Sequence, residues 1–357
     1  MKFDVVIGNP PYHKMDQAED SEHANAAMAS PIYQDFHAKA EHDFEAKIII
    51  MVVPAKCLSG GKGLDGFRRD VLRSKRVKQI VRRRFGKGWF PGVGTRDGNI
   101  VYHWERDFQG RISFTTETGD VNIPKTDTVS VDPTKYDIML MDVDAMTMPL
   151  LDKVLKKAEG NFIQPLVQTP YGLYSNYFTK TEYSTQWVTG HAPKDPTNPT
   201  VMCAYGDSKN RGAPQFRPVL LSQVTKNLGT IGHWKIITAK GGLSGGVNGL
   251  NFLSDMFIIE PGHVCTQTYL VIGSFDTQAE ALNMRAVIDT PLYQWMAQHR
   301  IAGNMSPDVF RWMPKLDWTR PWTAKDIYAK FGLTDQEIAY VEAYMKHVTD
   351  KRAKYAR

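Results

Sequence analysis

Short apolar runs alternate with amphipathic stretches through the first 158 residues. Asp4–Ile7 and Lys47–Pro54 are nearly continuous in Val and Ile, the pattern of buried strands, and Val77–Val81 reads as a third strand. Between them, Pro31–Phe44 and Leu64–Leu72 carry helical periodicity. Ser30 stands where an N-cap is expected and Pro31 at a first helical position, with Ile32, Phe36 and Ala40 on one face. Ile100–Trp104 and Ile112–Thr116 read as antiparallel strands that complete a mixed sheet, and Met146–Ala158 as the helix that closes the domain. Strand, helix, strand, helix, strand is an α/β arrangement.

After residue 160 the pattern changes. The stretch to residue 275 is rich in Tyr, Thr, Asn, Gly and Pro, with short β-like runs at Val201–Tyr205, Trp234–Thr238, Met256–Ile259 and Tyr269–Ile272. Helical signals return at Thr277–Ile288, with Asp276 as the expected cap and Ala279, Leu282 and Ala286 along it. Thr323 with Asp326 and Thr334 with Glu337 read as capping boxes. The expected division is 1–158, 159–275 and 276–357: an α/β domain, an irregular β-rich region and a helical segment.

The strand Asp4–Ile7 runs through Gly8 into Asn9-Pro10-Pro11-Tyr12. Loops at the carboxyl ends of strands are where open α/β sheets hold their ligands, and two prolines stiffen this one. The chemistry that suits these residues is methylation of an exocyclic amine. The N6 of adenine is a poor nucleophile because its lone pair is delocalised into the ring. The Asn9 side-chain oxygen and the Pro10 carbonyl can accept its two hydrogens and favour a pyramidal nitrogen. The ring of Tyr12 can stack on a base taken out of the duplex. The alternative reading of the same residues is a proline-stiffened turn after a strand, with Tyr12 half buried. The polar segment from His13 to Ser30 reads as a loop above the site that orders when substrate binds.

Asn-Pro-Pro-Tyr after an apolar strand resembles the catalytic motif of amino-methylating DNA methyltransferases, among which the Asn form usually belongs to adenine-N6 enzymes. Gly88-Trp89-Phe90-Pro91-Gly92-Val93, Gly98–Trp104, Cys265–Gly273 and Leu316–Thr323 are similar to later parts of the Eco57I-like restriction–modification methylases. The resemblance implies a partial, Rossmann-like methyltransferase sheet over 1–158 and a target-recognition region over 159–275. It implies S-adenosylmethionine as cofactor and double-stranded DNA as partner, with Asn9, Pro10, Pro11 and Tyr12 as catalytic residues. Family members hold the cofactor on a Gly-rich turn after a strand upstream of this motif. Eight residues precede Asn9 here, too few for that element. Gly60–Gly63, Gly86–Gly94 and Gly241–Gly246 do not have the expected strand–turn–helix context. The cofactor half is therefore expected on a separate polypeptide, or to have been lost.

Charge adds a second theme. The net charge is +6, from 44 basic and 38 acidic side chains, an excess that fits nucleic-acid contact without requiring it. Arg68, Arg69, Arg73, Lys75, Arg76, Lys78, Arg82, Arg83 and Arg84 crowd one stretch. They read either as a solvated face or as phosphate contacts, and part of the run, Arg82–Arg84 above all, is expected to meet DNA because it flanks the loop. Asn176, Asn198, Asn210, Arg211 and Arg217 carry groups that suit base edges, and Tyr171, Tyr174, Tyr177 and Phe178 can pack on sugars and bases. Three cysteines have no zinc spacing, and their odd number argues against a disulfide framework. The ten histidines show no metal-ligand spacing. With no signal peptide or long apolar span, the expected location is the cytoplasm, away from membranes.

The leading expectation is a site-specific adenine-N6 DNA methyltransferase, or its catalytic and recognition subunit, that acts with base flipping. A catalytically inactive DNA-binding remnant of such an enzyme is the rival of a different class. Cytosine N4 or a glutamine amide are alternative acceptors, though the basic run and the long recognition-like region speak against a small protein tail.

Overall fold

The computed structural model describes residues 2–14, 30–61, 63–83, 98–117, 126–166, 169–179, 199–206, 213–241, 253–301 and 305–343. The chain forms two compact units. One comprises residues 1–150 with 245–251 and 299–303, and the other 151–244, 252–298 and 304–357.

In the first unit the elements follow in the order β1 (Val5–Gly8), β2 (His13–Lys14), β3 (Ser30–Pro31), α1 (Tyr33–Ala38), β4 (Ile48–Pro54), α2 (Asp65–Phe67), β5 (Val77–Arg83), β6 (Asn99–Glu105), β7 (Ile112–Glu117) and β8 (Thr126–Val131). Six of the strands make one mixed sheet in the order β1-β4-β6-β5-β7-β8. β1 runs parallel to β4, with Val5 opposite Ile48 and Gly8 opposite Met51. β6 is antiparallel to both of its neighbours, β4 and β5. β7 runs antiparallel to β6 as expected, but with β5 between them. It lies beyond β5 and parallel to it, with β8 antiparallel at the far edge.

One face of this sheet is the core. Ile49, Met51 and Val53 of β4 and Ile100, Tyr102 and Trp104 of β6 are at most 3% exposed, as the two-residue period of a strand requires. Against them lie α1 and α2. His37 Nδ1 is 2.9 Å from the Tyr102 hydroxyl, and the Phe67 ring meets Tyr33 and Tyr102 edge-on.

The first helix differs from expectation. Ser30 and Pro31 pair with His13 and Lys14 as a short ladder, so Ser30 does not cap the helix and Ile32 holds the cap position without a side-chain bond. The inward face is Tyr33, His37 and Ala40, while Phe36 is exposed. Tyr33 and His37 supply buried ring surface, and the polar atoms of His37 find Tyr102 and Glu41, so this phase wins over that of Ile32 and Phe36. Both α1 and α2 continue into a wide, π-type turn, Lys39–Asp43 and Arg68–Leu72.

The basic run is largely consumed inside the unit. Arg68 is buried, donates to the carbonyls of Cys57 at 2.9 Å and Gly60 at 2.8 Å, and pairs with Asp65. Arg73 reaches the Pro133 carbonyl at 3.0 Å. Arg76 donates to Glu41 at 3.1 Å and, with Arg106, flanks the Trp104 ring. Lys78 pairs with Glu105, and Arg69 with Asp70. Arg82 is 1% exposed and ion-paired with Asp142, itself buried, which corrects its expected role: a guanidinium turned inward onto a carboxylate cannot meet a phosphate. Arg83 is half-buried with Glu117 at 3.5 Å. Arg84 lies outside the described residues.

The second unit holds two three-stranded sheets. β9 (Thr200–Gly206) is flanked by β10 (Pro214–Leu220) and β13 (His263–Cys265), and β11 (Trp234–Ala239) by β12 (Met256–Ile259) and β14 (Tyr269–Phe275). Their shared core includes Tyr171, Cys203, Val264, Tyr269 and Val271. Lys235 is buried, with its ammonium on the carbonyls of Thr230, Ile231 and His233, and burial pushes its pKa down to about 8. The helix Gln278–Ile288 is capped by Thr277 in a box with Glu280, not by Asp276. It buries Ala281, Met284 and Val287 and leaves Leu282 exposed. The boxes at Thr323 and Thr334 form as expected, and the helix Pro291–Gln298 is buried on every side.

All three cysteines are free and buried. Burial raises the thiols of Cys57 and Cys265 to about 12. Among the described residues no group of His, Cys, Asp or Glu is arranged to hold a metal ion, and no helix is long and apolar enough to cross a membrane.

Two predictions come from the ion pairs. The Arg82→Met variant leaves Asp142 buried without its cation and should lose about 3–5 kcal/mol of stability. Urea unfolding measures this, and Arg82→Met with Asp142→Leu should recover much of the loss. An unchanged midpoint in the single variant would mean the pair is not load-carrying. The hydrogen bond with His37 holds the Glu41 carboxyl below its usual 4.5, aided by the charges of His37, His42 and Arg76 and opposed by burial. A carboxyl lowered in the folded state stabilises above its unfolded pKa, and that share is lost as pH falls through the folded value. Stability should therefore decline on acidification below about 4.5, and Glu41→Gln should flatten that decline in urea melts run across the acid range.

Candidate active site

The site is assembled at the carboxyl end of β1. Val5, Val6 and Ile7 extend the backbone beside β4 through parallel pairing, and at Gly8 the strand gives way to the loop. Asn9 is exposed, Pro10 buried, Pro11 exposed and Tyr12 half-buried. The buried pyrrolidine ring anchors the loop, and its fixed φ limits where the neighbouring carbonyl can turn.

The acceptors on this loop are open. Among the described residues, the Asn9 side chain has no hydrogen-bond partner and no backbone N–H donates to the Pro10 carbonyl. Burial raises the Tyr12 phenol above its usual pKa, so at neutral pH the ring carries no charge and its face suits stacking on a base.

The far side of the loop is tied down twice. His13 opens the β2–β3 ladder opposite Pro31. Its Nε2 also lies 2.9 Å from the Lys56 ammonium, on the turn that follows β4. Burial, then the Lys56 charge, lowers the His13 pKa, so the neutral ring accepts from Lys56. Because β1 and β4 are parallel, their carboxyl ends share one edge of the sheet, and Lys56 reaches across it. Sequence patterning did not single out Lys56. Its only local signal is its place just past the Pro54 that ends a strand.

The Gly60–Gly63 turn does not fit a methyl-donor cofactor. Such a group needs a Gly-rich turn that leaves room between strand and helix. At Gly60–Gly63 that room is filled: the Gly60 carbonyl accepts from Arg68 at 2.8 Å, and a Cβ on Gly61 would stand 2.5 Å from the Leu64 side chain. Most of Gly86–Gly94 and Gly241–Gly246 lies outside the described residues.

Of the DNA-contact candidates, Asn210 and Arg211 lie outside the described residues, as do Arg84 and Asn198. Arg217 has a setting unlike the basic run. On β10 it is exposed, with its guanidinium 5.1 Å from the Tyr205 ring centroid and 5.7 Å from that of Phe178. Tyr205 donates to Gln215 at 2.8 Å. No carboxylate pairs with Arg217 among the described residues. Tyr171 and Tyr177 belong to the core of this unit and are not free to meet a base, while Tyr174 and Asn176 are exposed.

Residues 1–89 match the model of the family described as Eco57I restriction-modification methylase. A protein of Mycoplasma pneumoniae described as an uncharacterized adenine-specific methylase is 34% identical over 118 residues, which cover 33% of this chain and 27% of that protein. The chain thus spans about a quarter of the length of the curated relative it matches. Among solved structures, the Type IIL restriction-modification enzyme MmeI in complex with DNA is similar over 96% of this chain and 49% of its own, at 10% identity and a TM-score of 0.45. A type I restriction-modification methyltransferase subunit from Streptococcus thermophilus is similar over 32% of this chain and 26% of its own, at 17% identity and a TM-score of 0.23. TM-scores below 0.5 do not establish a shared architecture. The family match covers the strand, the Asn9–Tyr12 loop and the first two helices.

Proposed function

We propose that the chain supplies the catalytic loop and the target-recognition surface of an adenine-N6 DNA methyltransferase. The observation that carries this reading is the pair of open acceptors at the end of β1, the Asn9 side chain and the Pro10 carbonyl. S-adenosylmethionine is the proposed donor, supplying an activated methyl group. The residues that hold it lie outside those described or on a partner polypeptide, and no role for this chain in binding it is assigned.

The chain's own part is to bind and orient the base. A flipped adenine stacks on Tyr12. Asn9 Oδ1 accepts one N6 hydrogen and the Pro10 carbonyl the other. Held between two acceptors, the nitrogen gives up its planar geometry, and its lone pair is withdrawn from the ring π system and freed to act as a nucleophile. The contact of Lys56 with His13 steadies the loop that must hold this geometry. DNA that binds without being methylated is the second reading, favoured by the poor fit of the Gly60–Gly63 turn to a cofactor. Methyl transfer from labelled S-adenosylmethionine to bacterial genomic DNA, with and without the partner half, separates the two.

In an assembled active complex, Asn9→Ala should slow single-turnover methylation by about a hundred- to a thousand-fold, the usual loss on removing a preorganised polar partner of the reacting group. Tyr12→Ala should weaken capture of the flipped base by about 1–3 kcal/mol, and Tyr12→Phe should be nearly silent. Wild-type turnover by Asn9→Ala would reduce the tetrapeptide to a structural turn. On the recognition side, Arg217→Ala should weaken DNA binding and lower the dependence of log Kd on log salt by about one. An unchanged salt slope would remove Arg217 from the interface.

A further inference from the structure

Asn99 opens β6 with a carboxamide that is sealed and unpaired. The residue is 0% exposed, and among the described residues neither its Oδ1 nor its Nδ2 has a hydrogen-bond partner. Buried side-chain amides are ordinarily satisfied, and one left unpaired lowers stability. Other buried polar groups of this sheet do find partners. Arg82 closes on Asp142, and the Thr116 hydroxyl donates to the Val143 carbonyl at 3.1 Å.

The place of Asn99 in the fold is the same edge that carries the Asn9–Tyr12 loop. It stands opposite Pro54 of β4 on one side and Arg83 of β5 on the other, where β1, β4 and β5 reach their carboxyl ends. The Ala55 N–H donates to the Gly98 carbonyl at 2.9 Å. The turn with Lys56 is thereby fastened next to Asn99, and Lys56 meets His13 of the loop. Both asparagines also fall on one face of the sheet. Ile100, Tyr102 and Trp104 turn to the helices, so Asn99 turns to the other side. Along β1 the exposed Val5 and Ile7 alternate with the less exposed Val6 and Gly8, and the alternation runs on through exposed Asn9 and buried Pro10. Val5 and Ile7 stand in register with Ile48 and Ile50, away from the buried Ile49, Met51 and Val53, which puts Asn9 on the side of Asn99. By the register, Asn99 lies two strand spacings across from Asn9, about 10 Å, and two residues further along, about 7 Å.

We propose that Asn99 is a further base-holding residue, whose Nδ2 donates to N3 of the flipped adenine. The inference rests on the reading above that Asn9 and Pro10 hold N6. With both N6 hydrogens taken, the ring has only acceptors left, and the unpaired N–H groups of Asn99 match them. N3 lies directly across the six-membered ring from C6. A ring anchored by N6 at Asn9 therefore turns N3 away from β1, and the separation of the two asparagines suits a purine with a hydrogen bond at each end. Admitting the ring parts the edge that seals the amide, and the bond to N3 restores what the sealed amide lacks. An amide already stripped of water has no hydration to lose when the base arrives. The same bond selects against cytosine. There the atom across the ring from C4 is N1, which carries the sugar and offers no acceptor.

The test is single-turnover methylation by the assembled active complex, on duplexes with adenine or 3-deazaadenine at the target, with the wild-type chain and with Asn99→Leu. 3-Deazaadenine keeps N6 and has a C–H in place of N3. The wild type should methylate it about tenfold or more slowly than adenine. Asn99→Leu should lose a similar factor on adenine, and the two losses should not multiply when combined. In urea, Asn99→Leu should unfold no sooner than the wild type, because it removes an unpaired buried amide. Equal wild-type rates on the two bases, a full rate for Asn99→Leu on adenine, or losses that multiply would each overturn the role of Asn99 and leave the reading of Asn9 and Pro10 standing. A urea midpoint lowered by Asn99→Leu and Asn99→Ala alike also overturns it, by giving the amide a structural task. A wild-type complex that transfers no methyl group to adenine brings down the reading of Asn9 and Pro10 itself, and this inference with it.

Discussion

The parallel ladder between β1 and β4 is the constraint on which the site depends. β1 is four residues long and pairs with β4 along one side, yet it carries the loop that presents Asn9 and Pro10. Each ladder bond contributes only about 0.5–1.5 kcal/mol. The loop is therefore held less by the ladder's strength than by what surrounds it: a buried Pro10 ring, the pairing of His13 with Pro31, and Lys56 reaching over from the end of β4. β4 in turn is fixed by β6 and by the rings of Tyr102 and Trp104, so the placement of two small acceptors reaches back to the core of the sheet.

The charge pattern of this unit answers to stability before it answers to a ligand. Arginines in the stretch from Arg68 to Arg83 satisfy carbonyls left open at turns, close on carboxylates, or lie against Trp104. The sequence's net charge of +6 therefore overstates what this stretch can offer a polyanion. Arg217, stacked on two rings and free of any described carboxylate, keeps its charge available.

What the sequence made legible was local. A Val-Val-Ile-Gly run before two prolines fixes a strand and a stiff loop without help from the rest of the chain, and the capping boxes at Thr323 and Thr334 are likewise closed within a few residues. The order of the sheet was not legible, because it depends on which distant strand β7 meets. Arg82 looked like a surface cation because its partner, Asp142, lies far along the chain. The phase of the first helix was misread because Tyr33 and His37 bury ring surface once Tyr102 and Glu41 are in place, a trade that local hydrophobic periodicity does not show. At Gln278–Ile288 the cap was off by one residue, since Asp276 and Thr277 are both good caps and only Thr277 is three residues from Glu280.

The sealed cysteines set the chemical temper of the surface. Cys57, Cys203 and Cys265 are sequestered, and their thiols are held in the protonated form by burial. The thiolate is the species that reacts with electrophiles and oxidants, so the native fold meets alkylating reagents as though it had no cysteine. A thiol introduced anywhere on the outside can then carry a dye or spin label alone, with no native residue removed first, and slow labelling of the three natural ones becomes a clock for the opening of the two cores that enclose them.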